Sequence, residues 1–365
     1  MVVSGALANK PCNAGAAWTR LSWVLGLQRL ECDVYFVESL AAPDGRSSEW
    51  FQAVTRRFGL EGEAALLQGE GKRVEGAEWD EVLGWADQAA LLVNLSGHLA
   101  LEPVTRRFRR RVFVDLDPGY TQLWRGGARL EGHDGYFTVG ENIGGSDCPI
   151  PTGGIEWRPT RQPVLLSEWP CVDGGDVDRF TTVSTWRGPY GRLEHEGGTY
   201  GLKMHEFRKF LALPSSAPQT FELALDIHPT DEDDLSALRE HGWRLVDPGE
   251  VAGDPDAFRR YVQSSGGEFS VAQGVYVETR SGWFSDRTTR YLASGKPALV
   301  QDTGFGRNIP TGTGLVAFRT LAEAVSGAEE IAADYDRHAQ AARALAEEFF
   351  DSDKVLRRFL EEALP

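Results

Sequence analysis

A chain of 365 residues with 41% hydrophobic content exceeds the roughly 250–300 residues at which single cores stop growing, so two domains are expected. A formal charge of −16 and an isoelectric point near 5.0 set up a field that repels nucleic acid and anionic membrane, leaving small molecules as the expected partners. Cys12, Cys32, Cys148 and Cys171 form no C-x-x-C pair, and neither a charged-then-apolar leader nor about twenty consecutive apolar residues occur, so a cytoplasmic protein without disulfide framework, structural zinc or membrane insertion is expected.

Apolar runs at Val2–Val3, Asp33–Glu38, Ala90–Leu95, Val112–Asp115 and Tyr136–Val139 alternate with helical or polar stretches, which predicts a parallel sheet with crossover helices. The segment from Ile150 to Asp173 is rich in Pro and Gly and carries little periodicity, as a connection between domains does. With the boundary near Cys171, the first domain covers residues 1–170. A second alternation runs through Phe180–Val183, Phe221–Ile227, Gly242–Val246, Gly274–Val277, Ala298–Val300 and Leu315–Phe318, giving a second α/β domain over 171–330. From Leu321 to Leu364, apolar residues at helical spacing predict one or two amphipathic helices.

Candidate sites follow the strands, because open α/β sheets bind ligands outside the carboxyl ends of their strands. The first such loop, "GALANKPCNAGAAW", opens a helix over Ala16–Leu27. Asn13 and Gly15 would let the backbone approach a ligand, or they simply form a turn. The loop is not G-x-G-x-x-G, and "GEGKR" at Gly69 lacks both the upstream glycine and the Ser or Thr after Lys72 of a P-loop. His98 in "NLSGH" and Asp115 and Asp117 in "DLDPGY" are candidates for a general base toward an acceptor hydroxyl, their alternative being caps and turns. The five arginines within Arg106–Arg111 read as a solvated helix end in so acidic a chain.

In the second half, Arg187 and Arg192 of "STWRGPYGRL" and the downstream Lys203 are candidate phosphate partners. Trp186 offers a ring face or a core side chain. The stretch "YVETRSGWFSDRTTRYLASGKPALVQDTGFGRNIP" reads as strand, loop, helix, strand, with Thr279, Ser281, Gly282 and Ser285 at the helix start, where free N–H groups and the helix dipole favour phosphate. An ordinary N-cap is the alternative.

That order, with "ASGKP" closing the helix at Ala293–Pro297, resembles the donor-nucleotide segment of the GT-B glycosyltransferases. The stretch "HGWRLVDP", His241–Pro248, resembles the family's strand and loop that meet the nucleotide base, which adds Val246. The resemblance implies an α/β fold of two Rossmann-like domains facing a cleft, with the acceptor on the first and the donor nucleotide on the second. Helices over 331–365 would cross back to the first domain. It further implies a metal-independent, hexosyltransferase-like enzyme without cofactor, moving a sugar from a nucleotide-diphosphate sugar to a small acceptor such as a natural product. The donor would be held by Ser281, Gly282, Trp283, Phe284, Ser285 and Asp286. A homodimer is compatible with this reading. Two departures stand out: Arg290 occupies the position where many members carry a carboxylate, Asp286 being one turn earlier, and the first loop lacks a histidine. A sugar-nucleotide epimerase or hydrolase, and a non-catalytic nucleotide-sugar-binding partner protein, are the rival expectations.

Overall fold

The computed structural model describes residues 1–42, 44–69, 71, 73–124, 128–172, 175–188, 190–195 and 197–364; Lys72 of the "GEGKR" stretch and Asp173 at the end of the expected connector lie outside them. The first half contains strands β1 (Val2–Ser4), β2 (Tyr35–Leu40), β3 (Ala64–Gln68), β4 (Arg73–Glu75), β5 (Leu92–Leu95), β6 (Arg111–Asp115), β7 (Gly135–Thr138) and β8 (Trp157–Pro159). They form one sheet in the order β4-β3-β2-β1-β5-β6-β7-β8, parallel throughout except for β3 against β4. The central strands are buried on both faces, which is why they read as apolar runs rather than alternations.

The second half begins with β9 (Asp176–Thr185), followed by a hairpin of β10 (Leu193–His195) and β11 (Gly198–Tyr200). Strands β12 (Thr220–Asp226), β13 (Arg244–Val246), β14 (Ser265–Ser270), β15 (Ala298–Gln301) and β16 (Leu315–Phe318) complete a parallel sheet in the order β13-β12-β9-β14-β15-β16. Both sheets are doubly wound. Chain order reverses between β1 and β5 in the first and between β9 and β14 in the second, and crevices for ligands open at such points.

Three expectations need correction. Gly274–Val277 is not a strand but part of the helix Gly274–Glu278; the strand of that unit is β14, whose sequence SGGEFS carries little β propensity. Its glycines serve close approach: a Cβ on Gly266 would lie 2.3 Å from the Val177 carbonyl oxygen, and one on Gly267 2.8 Å from that of Pro297. The expected connector also contains β8, which closes the first sheet beside β7.

The C-terminal segment folds into three helices, Leu321–Ala333, Tyr335–Phe349 and Ser352–Ala363, rather than the one or two expected. The second packs on helix Asp286–Ala293 of the second half, and the third on helix Ala14–Arg29 of the first. In that last contact Trp23 meets Phe359 edge-on at 5.0 Å, and Arg29 pairs with Asp353 at 3.1 Å. The chain crosses between halves a second time at Phe350–Asp351, where the Val164 N–H donates to the Phe350 carbonyl and the Ser352 N–H to that of Val164. A shared core includes Trp18, whose ring stands edge-on to Trp169 and whose Nε1 donates to the Pro255 carbonyl.

Candidate functional site

The loop after β1 is shaped by a residue that sequence reasoning passed over. Glu38, an isolated acid in the apolar strand β2, accepts the backbone N–H groups of Leu7 (2.7 Å), Ala8 (2.6 Å) and Asn9 (2.9 Å). Burial raises its carboxyl to about 7 against the pull of those donors and of Arg20. Asn13 is spent locally: its Oδ1 accepts the Ala16 N–H and caps helix Ala14–Arg29. Gly15 lies in the first turn of that helix with only the Asn13 side chain nearby.

The two aspartates after β6 have different surroundings. Asp115 is fully buried and accepts from Thr121 Oγ1 (2.5 Å), Gln122 Nε2 (2.9 Å), Thr138 Oγ1 (2.8 Å) and the Asp117 N–H (2.9 Å). Burial lifts it to about 6 despite these donors. So enclosed, it organises the loop and has no lone pair facing a substrate, which corrects its candidacy as the base. Asp117 is half-buried and accepts the Tyr190 and Tyr276 hydroxyls of the second half, at 2.9 and 3.2 Å. His98 and Arg129 line a cavity of about 780 Å³ in the first half. Burial first, then the charges of Arg20, Lys10 and Arg129, lower the His98 imidazole to about 3.

On the second half, Trp186 belongs to the core: it is 1% exposed, packs on Phe207 and donates Nε1 to Asp234 Oδ2 at 2.7 Å. This corrects its reading as a ring platform. Arg187 is exposed and paired with Asp231 through Nε at 3.1 Å. Arg192 is exposed as well. Val246 ends the edge strand β13, in register with Ala224.

Lys203, in contrast, sits at the end of the central strand β9, where it donates to Ser184 Oγ at 3.2 Å. Burial, and then the neighbouring Arg287, lower its ammonium to about 7. Arg287, which sequence reasoning missed, locks this end of the sheet. Its Nε donates to Glu268 Oε1 (2.6 Å), its Nη1 to the Val183 carbonyl (2.7 Å) and its Nη2 to Ser270 Oγ (2.7 Å). A buried glutamate in so glycine-rich a strand was the available signal, because it demands a cationic partner.

The turn before helix Asp286–Ala293 is largely occupied by its own contacts. Ser281 is fully buried and its carbonyl accepts the Asn142 N–H of the first half. Gly282, at φ 78°, presses against Asn142, and its N–H donates to the Thr303 carbonyl. Trp283 stacks on Tyr276 at 4.4 Å, and its N–H donates to Ser281 Oγ. Phe284 is a core side chain between Phe305 and Phe350, which corrects its place among ligand contacts. Ser285 caps the helix by accepting the Arg287 N–H, the ordinary N-cap anticipated as the alternative. Asp286 accepts from Thr19 Oγ1 of the first half and from Arg290 Nη1, both at 2.6 Å. The position where the family often carries a carboxylate is thus a buried arginine neutralised one turn earlier.

Asp286 links the halves electrostatically: its charge acts on Lys10 and Arg20 of the first half and on Lys203 of the second. Among the described residues, no cluster of three or more His, Cys, Asp or Glu side chains suits a metal ion, and no helix is long and apolar enough to cross a membrane.

No family model and no curated protein matches the chain. Solved structures do. Anabaena HepE, in complex with UDP and glucose, aligns over 99% of this chain and 98% of its own at 12% identity and a TM-score of 0.60. AviGT4, a glycosyltransferase involved in avilamycin A biosynthesis, aligns over 99% and 96% at 11% identity and a TM-score of 0.59. A putative UDP-N-acetylglucosamine 2-epimerase from Listeria monocytogenes aligns over 98% and 94% at 12% identity and 0.53. Such identities carry the fold alone, and with the two doubly wound sheets they show that this chain has the GT-B glycosyltransferase fold: two Rossmann-like domains facing a cleft.

Proposed function

We propose that the protein is a glycosyltransferase that moves a sugar from a nucleotide-diphosphate donor to a small acceptor between its halves. The observation that carries this reading is the pairing of Lys203 and Arg287 at the ends of β9 and β14, the point of the second sheet where ligands bind. Negative charge develops on the diphosphate as the glycosidic bond breaks, and fixed cations in a partly desolvated cleft stabilise it. The N-terminus of helix Asp286–Ala293 adds its dipole in the same direction. On this account neither a divalent metal nor a cofactor is needed. Asp117, just after β6 and facing the second half, is the group best placed to accept the acceptor's proton, and His98, on the wall of the first half's cavity, is the second candidate. The solved neighbours support the donor class, since HepE holds UDP and UDP-glucose. A natural-product acceptor, of the kind AviGT4 suggests, and a cytoplasmic setting belong to the same proposal.

The experiment is to incubate the protein with UDP-, GDP-, ADP- and dTDP-sugars, with and without a panel of acceptors, and to quantify free nucleoside diphosphate. Release that requires an acceptor and disappears in Lys203→Ala is the expected result. Isomerised donor without acceptor would instead select the epimerase reading, which the Listeria neighbour keeps in play. Acceptor-independent release would select hydrolysis, and binding without turnover would select the non-catalytic partner.

A further inference from the structure

The crevice of the first sheet holds cations of its own. Arg20, on the second turn of helix Ala14–Arg29, is only 6% exposed. Its stem runs beneath the ends of β1 and β5: a Cβ built on Gly5 would lie 2.9 Å from Arg20 Cγ and 3.4 Å from the Leu95 side chain. The guanidinium donates through Nη1 to the Ala16 carbonyl at 3.2 Å, while Nε is buried without a partner. Lys10 lies on the loop after β1, near enough for the Arg20 charge to act on it, and His98 comes from the loop after β5, on the wall of the 780 Å³ cavity, within reach of both charges.

The nearby acids are engaged elsewhere. Glu38 receives three backbone N–H groups, Asp286 takes Thr19 and Arg290, and Asp117 takes two tyrosine hydroxyls. Among the described residues no ion pair engages Arg20 or Lys10. A buried guanidinium with an unmet N–H is costly unless something anionic meets it, and a planar fork suits carboxylate and phosphate.

We propose that Arg20 and Lys10, with His98 as a hydrogen-bonding neighbour, form an anion subsite in the first half, and that the acceptor carries a carboxylate or phosphate which sits on it. The inference rests on the glycosyltransferase reading for the word acceptor. The subsite itself does not, because it is built from the half opposite Lys203 and Arg287. The same chemistry could be supplied by the donor's diphosphate, so the test separates the two sources.

The full chain is first saturated with UDP, or with whichever of GDP, ADP or dTDP binds, and then titrated with inorganic phosphate and with 3-phosphoglycerate by calorimetry. The expected result is a second binding event, weakened by about tenfold or more in Arg20→Gln and to a lesser extent in Lys10→Gln, with nucleotide affinity unchanged. Lys10 lies half-exposed in a loop, so its variant keeps the test open if Arg20→Gln fails to fold. Nucleotide binding without a second event overturns the subsite and leaves the proposed function standing. Loss of nucleotide affinity in these two variants assigns the anion to the donor and also overturns it. If no nucleotide binds but phosphate still does, and is lost in the variants, the subsite stands while the glycosyltransferase reading falls.

Discussion

Thr19 Oγ1 donates to Asp286 Oδ2 at 2.6 Å, joining the first helix of one half to helix Asp286–Ala293 of the other. The same carboxylate holds Arg290, whose side chain is 1% exposed. Burial raises the Asp286 carboxyl, but Arg290 and Thr19 outweigh it and leave the group below its ordinary value.

Removing the hydroxyl and removing the charge should therefore differ. Thr19→Val is expected to cost about 1 kcal/mol, whereas Asp286→Asn strands a buried guanidinium and should cost about 3–5 kcal/mol. Urea unfolding of both variants checks this, and equal midpoints would deny Arg290 its dependence on Asp286. Because the folded carboxyl is depressed, its contribution is present above the unfolded value near 3.8 and is lost as pH falls through the folded one.

Lys203 should make nucleotide binding pH-dependent. Its ammonium titrates at about 7 in place of 10.5, so the native chain sheds this proton before the unfolded chain does. Between those values the unfolded state binds more protons, and stability gains from this group as pH rises. A diphosphate favours the charged form, so binding at pH 8 should take up a proton, and affinity should fall as pH rises from 7 to 9. Calorimetry in buffers of different ionisation enthalpy measures the uptake. Lys203→Met should abolish it; uptake that persists would assign it to another group.

Asp115 and Asp117 should separate by phenotype. Asp117→Asn is expected to lower the transfer rate by about 10²–10⁴-fold with little change in unfolding midpoint. Asp115→Asn places an amide against the Thr121, Gln122 and Thr138 donors and should cost about 1–3 kcal/mol. A full rate in Asp117→Asn would remove it as the base.

Glu38 should govern the order of the loop it holds. Glu38→Gln keeps the volume but offers one accepting oxygen in place of two. Hydrogen exchange of the Leu7, Ala8 and Asn9 amides should quicken by about tenfold or more, in line with the loss of a charge-assisted bond. Unchanged exchange would mean the loop is held by its packing.

Legibility in the sequence followed the physics of burial. Strands such as β6 and β15, buried on both faces, announced themselves as apolar runs, and Lys203 was singled out as a candidate because a lysine after a strand-end loop is suited to phosphate. Strand β14 escaped because glycines at 266 and 267 are needed for strand approach and dilute the apolar signal. Arg287 and Glu38 escaped for a related reason: their roles lie in partners distant along the chain, Glu268 and Val183 for one and three loop amides for the other. Trp186 and Phe284 were misplaced because an aromatic side chain looks the same in sequence whether it lines a ligand or fills a core.

The chain passes between the halves twice, and at Val164 and Phe350–Ser352 the two passages are bonded side by side. Two segments fastened by one such bridge would act as a door hinge rather than a tether, permitting swing about one line and resisting sliding and twisting. Each opening would then part Thr19 from Asp286 and Asp117 from Tyr190, and each closing would return them to the same alignment.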